Sequence, residues 1–129
     1  MTAEKRAALR AQYPLMNFPN AASCLTTTAE DYARFLLGMS DKEILVPRVP
    51  AGQGLQWGLG FGLIENRTRG TGLWHWGDFG VFQNFAVVFP ATGEAVVSLT
   101  NGARGQRFNR QISRALLGEE LACFSWLRV

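Results

Sequence analysis

An α+β domain is the fold class this sequence predicts, with an antiparallel sheet of about three to five strands flanked by N- and C-terminal helices. Three observations carry the prediction. A helix start with a capping pattern stands at Thr27, with Glu30 three residues on and apolar residues at helical spacing behind it. Between residues 55 and 100 the period falls to two, in runs separated by Gly and Pro. From residue 106 helical spacing returns, in QRFNRQISRALLGEEL.

Taken in order, residues 2–12 read as a short helix whose Ala3, Ala7, Ala8 and Ala11 offer a thin apolar face. YPLMNFPNAASC, residues 13–24, holds Pro14, Pro19, Asn17 and Asn20 and reads as an irregular connection. The helix that follows has its acids in the first turn, where the helix dipole favours them, and Ala29, Tyr32, Ala33, Leu36 and Leu37 on one face. Residues 44–54, punctuated by Pro and Gly, read as a loop. In LQWGLGFGL, residues 55–63, bulky residues alternate with Gln56, Gly58, Gly60 and Gly62, which predicts one strand with a bare face open to another backbone or a ligand. Residues 82–89 and 94–100 read as two further strands joined by the turn Pro90–Gly93. In the last helix Phe108, Ile112, Ala115 and Leu116 form an apolar stripe, while Arg107, Arg110 and Arg114 line another face. The expected organisation is a terminal helix over 1–12 and a single domain over 13–129.

Composition narrows the function. With 47% apolar residues and nine phenylalanines the chain builds a sizeable core, and its net charge of +3 is too mild to argue for nucleic acid or a membrane surface. No stretch approaches the roughly 18 apolar residues of a membrane span. MTAEKRAALRAQ has no apolar run, so no signal peptide is expected. Cys24 and Cys123 read as two buried thiols, with a bridge between them as the alternative. One histidine and no CxxC leave no metal site to expect, and no cofactor motif is present.

The stretch with chemistry in it is GLWHWGDFG, residues 72–80, where the one histidine, His75, lies between Trp74 and Trp76. Packing has no use for so much glycine, nor a plain loop for so much tryptophan. Taken by its residues, His75 is either an imidazole packed between aromatics and bonded to a backbone carbonyl, or part of a site. Asp78 is either a loop acid capping a turn or the position of a backbone donor, and both hold together.

PNAASCLTTTAEDYARFLLGM (residues 19–39), WGLGFGLIE (57–65) and HWGDFGVFQNFAVVFPATGEAVVSLTNG (75–102) resemble, in the same order, the C-terminal part of class C β-lactamases, DD-peptidases and their esterase relatives. The resemblance covers roughly residues 13–118. It implies a β-lactamase-like, or transpeptidase-like, fold of which this chain holds the C-terminal portion, and serine hydrolase chemistry with no metal or cofactor. His75-Trp76-Gly77 is similar to the family's third motif, K-T-G or H-x-G, on a strand that walls the substrate cleft. The resemblance makes the Asp78 N–H an oxyanion donor, lets Gly77 admit the acyl group, and gives His75 a donor or partly positive role beside the nucleophile. It places Trp76 against substrate and, loosely, Arg104 and Arg107 near a substrate carboxylate at the start of the last helix. A solvated helix face is the other reading of those arginines.

The sequence departs from the family in three places. No S-x-x-K nucleophile motif occurs; Thr2-Ala3-Glu4-Lys5 matches T-x-x-K only as a pattern on a terminal segment. No Y-x-N occurs, since Tyr13 precedes Pro14-Leu15 and Tyr32 precedes Ala33-Arg34. Trp76 stands where the family has Thr or Ser, which favours an esterase-like cleft over a penicillin-like substrate. The expectation is therefore the C-terminal segment of a serine hydrolase without its nucleophile, or a non-catalytic relative that binds or self-associates. A small acyl ligand and a homo-oligomer, formed through an exposed sheet edge or by burying Trp57, Trp74 and Trp76, are the expected partners, with no nucleic acid and no membrane span.

Overall fold

The computed structural model describes residues 2–12, 14, 18–21, 24–39 and 42–129, Lys42 by its backbone alone. Tyr13, Ser23 and Ser40 lie outside the described residues, and much of the connection expected over 13–24 does too. Among the described residues the chain is α+β, with four helices and six strands: α1 (Ala3–Gln12), α2 (Ala29–Gly38), β1 (Val49–Gly52), β2 (Leu55–Trp57), β3 (Gly62–Asn66), β4 (Gly70–Asp78), β5 (Gln83–Phe89), β6 (Glu94–Thr100), α3 (Gly105–Leu117) and α4 (Ala122–Trp126). The strands form one sheet in sequence order, each antiparallel to the next.

Six strands exceed the expected three to five, for two local reasons. The run 55–63 is a hairpin and not one strand: the Gly58 N–H donates to the Phe61 carbonyl at 2.8 Å, and Gly60 turns the chain at φ +77°. Its bare face is closed at Gly58 and Gly62, while Gly60 has open space beside it. A Cβ at Gly62 would lie 2.5 Å from Trp74 Nε1, so the missing side chain makes room for that indole. The second addition is β1, from the stretch expected to be a loop, preceded by a 3-10 turn at Lys42–Leu45. Its Pro50 sits on a sheet edge, where the missing N–H breaks no interior ladder.

Alternation along β5 buries both faces of the sheet. Phe85, Val87 and Phe89 join Trp74, Leu117, Leu121, Cys123 and Phe124 beneath α3 and α4. Ala86 and Val88 join Leu36, Ile44, Phe61, Leu63 and Leu73 beneath α2. The sheet is thus the middle of three layers. The layer on that second face is α2 and not the N-terminal helix, for no residue of α1 is buried. The N-cap of α2 is Thr28, one residue beyond the expected Thr27: its Oγ1 accepts from the Asp31 N–H at 3.1 Å and donates to the Asp31 carboxylate at 2.9 Å.

The tryptophans correct a further expectation. Trp74 is fully buried, with Trp57 and Trp126 at ring-centroid distances of 5.4 and 5.7 Å. Trp57 and Trp76 are half-buried against the same cluster. The short α4 lays Trp126 over them, so they form no exposed face for self-association. Cys123 is buried, its thiol pushed up to about 12 by desolvation, but Cys24 is exposed and both are free, so neither reading of the cysteine pair holds.

Helix α3 packs against its hydrophobic pattern. Its buried residues are Gly105, Gln106, Asn109, Ser113 and Leu117, whereas Phe108 and Leu116 stand 53% and 65% exposed. Burying amides costs little where each finds a partner. Gln106 Nε2 donates to the Gly77 and Asn84 carbonyls at 3.1 and 3.3 Å, and Asn109 Nδ2 to the Gln83 carbonyl at 3.1 Å. Asn109 Oδ1 accepts from Ser98 Oγ at 2.7 Å. Gly105 lets the first turn close on the sheet, where a Cβ would collide with Thr100 Oγ1. α3 therefore pins the ends of β4 and β5, the part of the sheet that carries the histidine.

Candidate functional site

A groove of about 880 Å³ opens between the start of α2 and the ends of β4, β5 and β6. Register builds its floor. His75 stands opposite Ala86, and Ala86 opposite Val97; Gly77 stands opposite Asn84, and Asn84 opposite Leu99. Directly paired residues of an antiparallel sheet share a face, so these six lie on one face, and all but Val97 line the groove. Leu25, Thr27 and Tyr32 form the wall on the α2 side, and Phe79 and Phe82 close the end at the β4–β5 loop.

His75 is exposed into this space and meets Phe61 edge to face at 5.9 Å. Desolvation lowers its pKa below the ordinary 6.5, against the opposing effect of a hydrogen bond with the Trp76 backbone. The shift favours the neutral imidazole at neutral pH. Tyr32 shifts the other way, its pKa raised by burial.

Gly77 differs in kind from Gly62. A Cβ there would meet no atom within 4 Å, so no protein packing requires the glycine and the backbone is bare toward the groove. The β3 ladder ends at the pair Gly62–Trp74, leaving His75 to Asp78 paired only with β5. One backbone edge of the motif therefore has no strand beside it.

The other sequence candidates divide. Asp78 caps its turn, one carboxylate oxygen accepting from the Gly80 N–H at 2.8 Å and the other from Gln83 Nε2 at 3.0 Å. Strand alternation also turns it to the face opposite His75, so it does not orient the imidazole. Trp76 borders the groove, but its side chain packs into the cluster beneath α3 and α4, also on the face opposite His75. Trp76 thus lines the same groove as His75, with its indole partly buried in the neighbouring cluster. Arg104 and Arg107 line a separate hollow of about 320 Å³ with Asp78, Gln83 and Gln106. The structure thus brings His75 and Gly77 together, links Asp78 to both spaces, and sets the arginines apart.

Among the described serines none lines the groove: Ser98 and Ser113 are buried and Ser125 lies on α4. No cluster of three metal-ligating groups occurs among the described residues, and no helix there is long and apolar enough to cross a membrane. Sequence reasoning missed Asn84, Leu99 and Tyr32. The first two were recoverable from cross-strand register once the hairpin at 90–93 fixed it; Tyr32 depends on how α2 crosses the sheet, which no local pattern encodes. No family model, curated protein or solved structure matches this chain.

Proposed function

We propose that this chain is the C-terminal segment of a serine hydrolase resembling class C β-lactamases and esterases, acting on acyl esters or amides. The observation that supports the reading best is the motif strand: His75 and Gly77 floor the groove, and the backbone beside them is free of a neighbouring strand. In this proposal a serine outside these residues attacks the acyl carbonyl as a base, also outside them, takes its proton; the Asp78 N–H donates to the developing oxyanion, neutral His75 hydrogen-bonds beside the nucleophile, and the alcohol or amine leaves with that proton as the acyl-serine forms. Water then releases the acyl group from the serine. Gly77 admits the acyl carbon to the strand, and Gln106 steadies that strand through the Gly77 carbonyl.

A second reading, a non-catalytic relative that binds ligand in the groove, is favoured by the absence of a groove-facing serine among the described residues. An S-x-x-K encoded in frame upstream of Met1 supports the first reading, and an in-frame stop the second. The chain alone is expected to show no saturable turnover above about 0.1 s⁻¹, low in the enzymatic range, on a chromogenic short-chain ester or cephalosporin. Titrated short esters are expected to shift the backbone amides of Gly77 and Asp78 in NMR spectra. Turnover that His75→Ala abolishes would show a complete enzyme and overturn the fragment reading, and unshifted β4 amides would remove the groove from either reading.

A further inference from the structure

Asn84 stands on the groove floor directly opposite Gly77, and one end of its amide is already bonded. Its Oδ1 accepts from the Thr100 N–H at 2.9 Å. An amide anchored through its oxygen carries both donors on its nitrogen, and Nδ2 meets no acceptor among the described residues. The side chain is half-buried against the sheet, so this donor is held in place. Gly77, across the ladder, has open space where a side chain would stand. The free donor of Asn84 and the bare backbone of β4 therefore border the same volume.

The walls decide which acceptor suits that donor. Leu25, Tyr32, Phe79, Phe82 and Leu99 surround the floor with apolar surface. Among the described lining residues there is no lysine or arginine, and the one acid is Asp78, whose two carboxylate oxygens accept from Gly80 and Gln83. Arg104 and Arg107 open on the separate hollow. The start of α2 borders the groove, but Thr28 caps it, and Glu30 and Asp31 stand in its first turn. A carboxylate entering here would exchange water for apolar walls, with the Asp78 charge nearby and no cation to meet it. A neutral carbonyl oxygen loses far less hydration and needs only a donor. We propose that Asn84 is a ligand-binding residue, its Nδ2 donating to a carbonyl oxygen of a small uncharged amide or ester whose apolar body lies against Tyr32, Phe79 and Leu99. This specificity rests on the groove being the ligand site, and it holds for the catalytic and the binding reading alike.

The test titrates the whole isotope-labelled chain, by NMR at neutral pH, with phenylacetamide, phenylacetate and phenethylammonium. The three share an aromatic body and differ in the charge and hydrogen bonding of the head. Phenylacetamide is expected to shift the Gly77 and Asp78 amides and the Asn84 side-chain NH2 pair together, with saturation in the millimolar range. Phenylacetate is expected to bind about tenfold more weakly or worse. Asn84→Asp keeps an oxygen for the Thr100 N–H and removes only the donors, so circular dichroism should show an unchanged fold. It should weaken phenylacetamide by about fivefold or more, the scale of one neutral hydrogen bond, and strengthen phenethylammonium, a reversal that a packing role would not produce. An Asn84 NH2 pair that stays still while Gly77 and Asp78 shift overturns the proposal and leaves the groove as a ligand site. So does phenylacetate binding as tightly as phenylacetamide, or an Asn84→Asp chain that binds phenylacetamide as well as the parent. No shift in β4 from any of the three probes removes the groove itself, and the proposal with it.

Discussion

A Cβ added at Gly62 would lie 2.5 Å from Trp74 Nε1, while one added at Gly77 would meet nothing within 4 Å. Gly62→Ala should therefore lower stability by about 1–3 kcal/mol through overpacking, whereas Gly77→Ala should leave it within about 0.5 kcal/mol and act only on ligand-induced shifts in β4. Urea titrations of the two variants check this, and equal losses would contradict it. Both glycines were visible in the sequence as part of a glycine-rich stretch. Which one faces protein and which faces space was not, because that depends on a tryptophan twelve residues away across a ladder. His75 gives the second residue-scale expectation. Its folded pKa lies below the unfolded 6.5, so the unfolded chain binds the extra proton first as pH falls. Stability attributable to this group is then full above about 6.5 and is lost as pH drops from there through the lower folded value. His75→Gln should flatten that part of the stability–pH curve, seen by comparing urea midpoints at pH 7.5 and 5. A parent and variant that fall in parallel would place the titration elsewhere.

At the scale of elements, α2 was legible as a helix from spacing alone, but its cap was displaced by one residue. Thr27 and Thr28 each have an acid three residues on, Glu30 and Asp31, and only the bond from the Asp31 N–H to Thr28 Oγ1 selects between them. Thr28→Ala should cost about 1 kcal/mol, as for other Thr caps, and Thr27→Ala much less. Thermal melts of the two variants rank them, and a larger loss at Thr27 would restore the original assignment. α3 shows a different limit. Its apolar stripe was plain in the sequence, yet an apolar pattern records what water disfavours and not which residues can reach buried carbonyls. Gln106 and Asn109 bond to Gly77, Asn84 and Gln83, and that network turns the helix so that Phe108 and Leu116 face out.

For the whole molecule, the antiparallel meander was legible from period-two runs and their turns, whereas the strand count was not, because the turn at 58–61 preserves the alternation on either side. The two edges this sheet leaves are unequal. β1 is four residues long, carries Pro50 and has an irregular register, all of which blunt pairing with another chain. β6 is seven residues long, EAVVSLT, with neither proline nor lysine and with Leu99 42% exposed. Two copies placed antiparallel about a twofold axis near Val97 would pair β6 with β6 and continue the sheet, a closed and self-complementary contact. A homodimer through β6 is therefore the expected state in solution, and it leaves α3 free on its own layer. Sedimentation equilibrium at tens of micromolar should return twice the chain mass of 14.3 kDa. Leu99→Lys sets a charge on the shared edge, the device by which natural edge strands resist pairing, and should shift the mass toward monomer while the melt stays two-state. Phe108→Ser, on the other layer, should leave the dimer intact. A parent chain sedimenting as a monomer, or a dimer that Leu99→Lys does not weaken, would show that β6 is not the contact.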